Sequence, residues 1–222
     1  MIWNELTDLS QRIFHLFDET AIQYGSLPFD NIDLDGWTDF YWTSSKIRKC
    51  HMQIIDRRED SKIWLMHINI FPGTRINAPI LGFDVIAGEK KITGYFFDYS
   101  PVSESAFDDH FRNSTQTISW SKKRELPDWA KPIFSPHMIA AGNIREENEV
   151  RQLSETSFSL ISDYLNMLEK EEPSPNLSFQ EQQNFYCLQQ KKNPHLHRSL
   201  LSMGLSEDQK QAYIENILFQ EI

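Results

Sequence analysis

Three polar side chains interrupt apolar strands in the middle of this chain, and their types are those of acid–base chemistry. His51 lies in Ile47-Arg48-Lys49-Cys50-His51-Met52-Gln53-Ile54-Ile55, and His67 in Ile63-Trp64-Leu65-Met66-His67-Ile68-Asn69-Ile70-Phe71. Asp84 lies in Pro79-Ile80-Leu81-Gly82-Phe83-Asp84-Val85-Ile86-Ala87-Gly88. The polar stretch Asp56–Ser61 between the first two predicts a β-hairpin. Side chains alternate across a strand, so a turn centred on Glu59 sets His51 opposite His67, with Gln53 on the same face near Leu65. Two imidazoles and an amide would then converge. The alternative is that each histidine is a half-buried core residue bonded to a backbone carbonyl.

An ionised carboxylate at Asp84 is costly in so apolar a strand unless it is paired, and burial favours its protonated form. A carboxyl kept neutral near neutral pH can donate a proton. The competing reading is a structural bond to a turn or an arginine. Gly82, just before it, would let a ligand ring approach the backbone. His51, His67 and Asp84 formally match a two-histidine, one-carboxylate iron site, but Gln53 beside them fits a polar patch better than a ligand shell. His195-x-His197 follows Asn193-Pro194 and reads as a solvated loop. Dinucleotide, phosphate-loop, nucleophile-elbow and Cys-x-x-Cys motifs are absent.

Basic residues cluster locally: Lys46, Arg48 and Lys49; Lys122, Lys123 and Arg124; Lys191, Lys192 and Arg198. Meeting around one pocket, they would form a positive rim suited to carboxylate-bearing ligands and an acidic protein partner. The chain as a whole is acidic, with 22 Lys+Arg against 32 Asp+Glu and a net charge of −10. That balance argues against nucleic-acid binding, which draws on phosphate neutralisation. Its 222 residues, 40% hydrophobic, predict one domain over 1–222. Without an apolar run of about 20 residues or a basic-then-apolar start, it is expected to be a cytoplasmic monomer with no membrane contact. Two distant cysteines, Cys50 and Cys187, exclude a disulfide framework.

Leu6, Leu9, Ile13, Leu16, Phe17 and Ala21 fall at helical spacing. A loop follows over 25–36, and then strands near 38–43, 47–55, 63–71, 79–87 and 91–98. Helices are expected from Val150 to Leu168, from Phe179 to Lys192 (stopped by Pro194) and from Ser206 to Phe219, the last opened by a capping sequence. Strands followed by helices give an α+β sandwich built on an antiparallel sheet.

In order, Ile47-Arg48-Lys49-Cys50-His51-Met52, Met66-His67-Ile68-Asn69-Ile70-Phe71-Pro72 and the 79–88 strand resemble the ferredoxin-dependent bilin reductases. Phe97-Asp98-Tyr99-Ser100-Pro101, Arg124-Glu125-Leu126-Pro127-Asp128-Trp129 with Ile133-Phe134-Ser135, and Tyr186-Cys187-Leu188-Gln189-Gln190-Lys191-Lys192-Asn193 extend the likeness. It runs from about Ile47 to the C-terminus and is closest to the phycocyanobilin:ferredoxin oxidoreductase branch. The resemblance implies a three-layer α/β/α sandwich with biliverdin IXα held between the sheet and the C-terminal helices. It also implies catalysis without bound metal, flavin or nicotinamide. Reduced [2Fe-2S] ferredoxin supplies single electrons, side chains supply protons, and the bilin passes through radicals.

By the same resemblance Asp84 is the central proton donor, His67 works with it, and His51 supports His67. Arg124 matches a propionate-binding arginine, Trp129 a residue of the pocket wall, Thr93 a hydroxyl contact, and Asn193 an asparagine of the branch. His195 stands in place of a propionate-site lysine. Gln53 replaces a glutamate that phycocyanobilin formation needs for reducing the D-ring exovinyl group, and Asn193 stands where phycoerythrobilin-forming relatives often carry aspartate. An amide cannot release a proton as a carboxylic acid can. The expected product is therefore phycoerythrobilin, through reduction of the C15 methine bridge and the A-ring diene, the course of a small set of viral or bacterial relatives. The alternatives are phycocyanobilin, with water or His51 replacing the missing acid, and a non-catalytic bilin carrier.

Overall fold

The computed structural model describes residues 2–20, 23–24 and 34–222. Most of the expected loop at 25–36 lies outside the described residues. Among the described residues, seven antiparallel strands form one sheet in sequence order: β1 (Gln23–Tyr24), β2 (Trp37–Thr43), β3 (Ile47–Arg57), β4 (Ile63–Pro72), β5 (Ile80–Gly88), β6 (Ile92–Ser100) and β7 (Ile139–Ala141). Helices α1 (Ile2–Glu19), α2 (Ala106–Thr115) and α3 (Glu147–Lys170) pack on one face. Helices α4 (Gln180–Gln190), α5 (Pro194–Ser202) and α6 (Glu207–Tyr213), continued by a π-helical turn at Ile214–Leu218, pack on the other. This is the expected α+β sandwich of helix, antiparallel sheet and helix. No helix among the described residues is long and apolar enough to cross a membrane.

The first interface is hydrocarbon and aromatic throughout. Leu6, Leu9, Ile13 and Phe17 line the buried stripe of α1. From the sheet, Trp42, Cys50, Met52, Met66, Ile68, Phe83, Val85, Tyr95 and Phe97 meet the helices. The opposite set of alternating positions carries His51, Gln53, His67, Asn69, Asp84 and Asp98, so chemistry and core are separated by the pleat.

The hairpin between β3 and β4 turns one residue later than expected. Arg57 pairs with Ile63, and Lys62 takes a positive φ of 58°. The register therefore moves by two: His51 faces Asn69, and Gln53 faces His67. An even shift keeps every side chain on its face. The histidines still share a surface, with ring centroids 6.0 Å apart.

Two helices escape sequence periodicity. One is α2. The other is α5, which begins where a loop was expected: Asn193 caps it by accepting from the amides of His195 and Leu196, and Pro194 fills the first helical position, where no N–H is needed. The basic residues at the start of β3 and just before it do not make a rim. Lys46 Nζ donates to the Glu169 and Glu171 carbonyls at 2.6 and 2.7 Å, closing the end of α3. Lys49, buried, donates to the Ile217 and Leu218 carbonyls at 2.7 and 2.5 Å and lies 4.5 Å from the centre of the Phe71 ring. Arg48 stacks on the same ring and donates to Gln183 Oε1 at 2.7 Å. These three cations hold both helical layers to the sheet.

Candidate active site

Two carboxylate–imidazole pairs stand on the sheet face beneath the C-terminal helices. In the first, His67 and Asp84 are cross-strand partners on β4 and β5, and His67 Nδ1 donates to Asp84 Oδ1 at 2.7 Å. The Asn69 amide nitrogen contacts His67 Nε2 at 3.0 Å and the Leu218 carbonyl at 3.4 Å. A carbonyl only accepts, so the group between them is the NH₂; His67 Nε2 is then an acceptor, and its proton sits on Nδ1. Asp84 is more open than its apolar strand implies, with 43% of its side chain exposed. On the same face of its strand, Gly82 has no side chain and Ile86 is only partly covered.

In the second pair, His51 Nε2 lies 2.8 Å from Asp39 Oδ1. Both side chains are buried. Asp39 also accepts from Tyr213 Oη at 2.6 Å and from Trp37 Nε1 at 2.7 Å. Burial alone would raise the Asp39 carboxyl, but the His51, Tyr213 and Trp37 bonds outweigh it and hold the group below its ordinary value. Burial pushes His51 down to about 4, so the imidazole is neutral at neutral pH. It also pushes the Tyr213 phenol well up, with the Asp39 charge acting the same way. Gln53 Nε2 donates to Tyr213 Oη at 2.5 Å.

The remaining expected residues fall into two groups. Arg124 and Thr93 do meet: the guanidinium donates to the Thr93 carbonyl and lies 5.7 Å from the centre of the Phe96 ring, and Phe96 is the cross-strand partner of Asp84. The Thr93 hydroxyl bonds the Ile86 carbonyl at 3.0 Å. A Cβ at Gly142 would lie 2.5 Å from Arg124 Nε and 2.6 Å from the Thr93 carbonyl oxygen, so only glycine admits this arrangement. Trp129 reaches the site through neighbours, its ring 6.4 Å from Phe134, which is 6.2 Å from Tyr186. The Tyr186 hydroxyl sits over Gly82, 3.5 Å from where a Cβ would be. The close approach expected at Gly82 is thus made by a side chain of the protein itself.

Asn193 and His195 stand apart. The oxygen of Asn193 is taken by its helix cap, and the exposed His195 accepts from Arg198 at 3.1 Å. Neither bonds to the central histidines. Among the described residues no three His, Cys, Asp or Glu side chains could hold one metal ion; Nε2 of His51 faces Asp39, away from a shared centre with His67 and Asp84. Sequence reasoning missed Asp39, Asn69 and Tyr213. Asp39 carried the same signal as Asp84, an acid within an apolar strand.

Asp98, buried beside the site, accepts from Ser135 N and Oγ and from Ser100 Oγ. Burial raises it to about 6 despite those bonds. Its work is structural: it ties the 133–138 segment to β6. A cleft of about 280 Å³ between Pro101, Pro132, Ile133, Phe185 and Tyr186 borders this region, but none of the four carboxylate–imidazole residues lines it.

Residues 34–220 match the ferredoxin-dependent bilin reductase family. The chain belongs to it. This bilin reductase is therefore an oxidoreductase that depends on ferredoxin for electrons. It is 31% identical over 183 residues to a phycocyanobilin:ferredoxin oxidoreductase of Prochlorococcus marinus, covering 79% of this chain and 72% of that protein. Against the corresponding Synechococcus protein (strain CC9902) it is 29% identical over 197 residues, covering 84% and 78%. The fold of the reductase superposes on the solved structure of PcyX with a TM-score of 0.71 at 24% identity, covering 98% and 99% of the two chains. On tomato phytochromobilin synthase, solved with biliverdin, the TM-score is 0.68 at 16% identity, covering 95% and 82%.

Proposed function

We propose that this reductase converts biliverdin IXα to phycoerythrobilin. The observation that carries the reading is the His67–Asp84 pair at 2.7 Å, a carboxyl–imidazole unit on the sheet face whose carboxyl side chain is 43% exposed. The tomato relative, solved with biliverdin, supports the choice of substrate. Each double-bond reduction adds a pair of electrons and a pair of protons. Ferredoxin brings the electrons singly, so the bilin becomes a radical between deliveries, and a nearby acid must neutralise it. Asp84 takes that role, giving a proton from the oxygen that His67 leaves free and being recharged from solvent at its exposed side, while His67 Nδ1 holds the other oxygen. His51 supports His67 from behind, and Arg124 meets a propionate.

Product choice follows from position 53. Gln53 presents an amide whose N–H is bonded to Tyr213, so position 53, across from His67, offers no carboxylic acid to protonate a D-ring vinyl group. Reduction then proceeds at the C15 bridge and the A-ring diene. Phycocyanobilin is the second reading, favoured by the names of the curated relatives. Anaerobic incubation with biliverdin and reduced ferredoxin, followed by chromatography, separates the two. Phycoerythrobilin is expected; a phycocyanobilin peak, or unconsumed biliverdin, overturns the proposal.

A further inference from the structure

Three groups converge on the Asp39 carboxyl, two of them hydrogen-bond donors and the third an imidazole nitrogen. His51 Nε2 and Tyr213 Oη approach Oδ1 at 2.8 and 2.6 Å, and Trp37 Nε1 approaches Oδ2 at 2.7 Å. An indole N–H can only donate, and a carboxylate can only accept. A protonated carboxyl could fit only by donating to His51 Nε2, which would move the imidazole proton to Nδ1 and bury that N–H unpaired, and an asparagine would turn its NH₂ against at least one donor. An ionised aspartate fits best. The consequence passes to His51: with its proton on Nε2, its other nitrogen is left bare. That nitrogen, Nδ1, is buried and has no hydrogen-bond partner among the described residues.

We propose that Asp39 is a positioning residue of this site, the resident anion that fixes His51 with its proton on Nε2 and leaves Nδ1 free to accept. Its location matters as much as its charge. Asp39 is the cross-strand partner of Gln53, so the fixed negative charge stands one strand outward from the neutral amide. The other ionisable groups facing His51 are His67 on β4, Lys49 on β3 and Tyr213 on α6. A single anion among them makes Nδ1 a better proton acceptor than a histidine buried alone. The Asp39–His51 pair also binds the last helix to the sheet through Tyr213, coupling placement of the helix to the tautomer of the histidine. In catalytic terms the inference rests on the reading of this site as a bilin-reducing centre.

The test uses the full-length protein. Asp39→Asn alone should be destabilised, because the amide NH₂ is driven against the Trp37 N–H. Adding Trp37→Phe removes that donor, and the remaining oxygen can still accept from His51 and Tyr213. The double variant is therefore expected to regain the thermal midpoint and biliverdin affinity of Trp37→Phe alone. Its single-turnover rate with reduced ferredoxin should stay on the order of 10²-fold lower, the scale of a lost acid–base contribution. Recovery of the rate along with the stability would show that Asp39 only satisfies donors, and would overturn the proposal. A second measurement is independent of turnover. In wild-type protein at neutral pH, ¹⁵N NMR of the ring nitrogens should show His51 as a neutral imidazole protonated at Nε2. Protonation at Nδ1 would sink the inference even if biliverdin is reduced as proposed, and the expected tautomer would sustain it even if biliverdin proves the wrong substrate.

Discussion

Gln53 lies directly across the β3–β4 pair from His67, and its amide N–H is held by the hydroxyl of Tyr213. Tyr213 in turn donates to Asp39. The position across β3–β4 from the reactive histidine is thus filled by a group that carries no transferable proton, in a network anchored on the Asp39 carboxylate.

Substituting Gln53→Glu tests that arrangement. The introduced carboxyl would face a phenol oxygen whose own proton points to Asp39, and Asp39 is already ionised. Both favour the protonated form of the new acid. It should therefore act as a proton donor, and D-ring-reduced product should appear beside phycoerythrobilin in the anaerobic assay. An unchanged product from a fully active variant would show that position 53 does not govern regiochemistry.

Lys49 predicts a pH dependence of stability. Burial pushes its ammonium from an ordinary value of 10.5 down to about 7. Between those values the unfolded chain holds the proton more firmly than the folded chain does, so stability rises with pH over this window. Below about pH 7 both states are protonated, and the penalty of burying the charge is constant. Urea midpoints of wild type should climb from pH 7 toward pH 10 relative to Lys49→Met, which lacks the titrating group. Parallel profiles would contradict the assignment. At neutral pH the variant also loses two bonds to the Ile217 and Leu218 carbonyls, so the last helix should loosen.

Arg124 is expected to recognise a carboxylate. Replacing it with alanine removes one charge-assisted contact worth about 1.5–3 kcal/mol, or roughly a 10- to 100-fold loss in biliverdin affinity. Biliverdin dimethyl ester, which has no propionate charge, should bind wild type and variant alike. Equal losses for acid and ester would place the propionates elsewhere. Gly142→Ala should weaken acid binding too, since its methyl group would displace the guanidinium.

The sheet and its cover on both sides were legible because the middle strands are apolar on both faces, and the few polar side chains among them keep their face through an even shift in register. The shift itself was not legible: Lys62 in a left-handed conformation adds a residue to the turn, and no glycine or asparagine marks the spot. Helix α5 was hidden because Asn193-Pro194 ends one helix and starts the next, and proline carries both meanings. His67 and Asp84 could be found as polar interruptions of apolar strands. Tyr213 could not, since its partner Asp39 lies 174 residues away and only the packed fold brings them together. The first basic cluster was misleading for a similar reason, because Lys46 and Lys49 turn inward to helix ends that lie far off in sequence.

The proton supply at Asp84 is the centre of the account, and Asp84→Asn examines it most directly. The amide keeps the size of the carboxyl and can still accept from His67, but it has no proton to give. Under anaerobic single turnover with reduced ferredoxin, the variant should bind biliverdin, take up one electron and stop as a coloured radical. Electron paramagnetic resonance would detect that organic radical as it accumulates. Complete reduction at the wild-type rate, with no radical building up, would contradict the central claim.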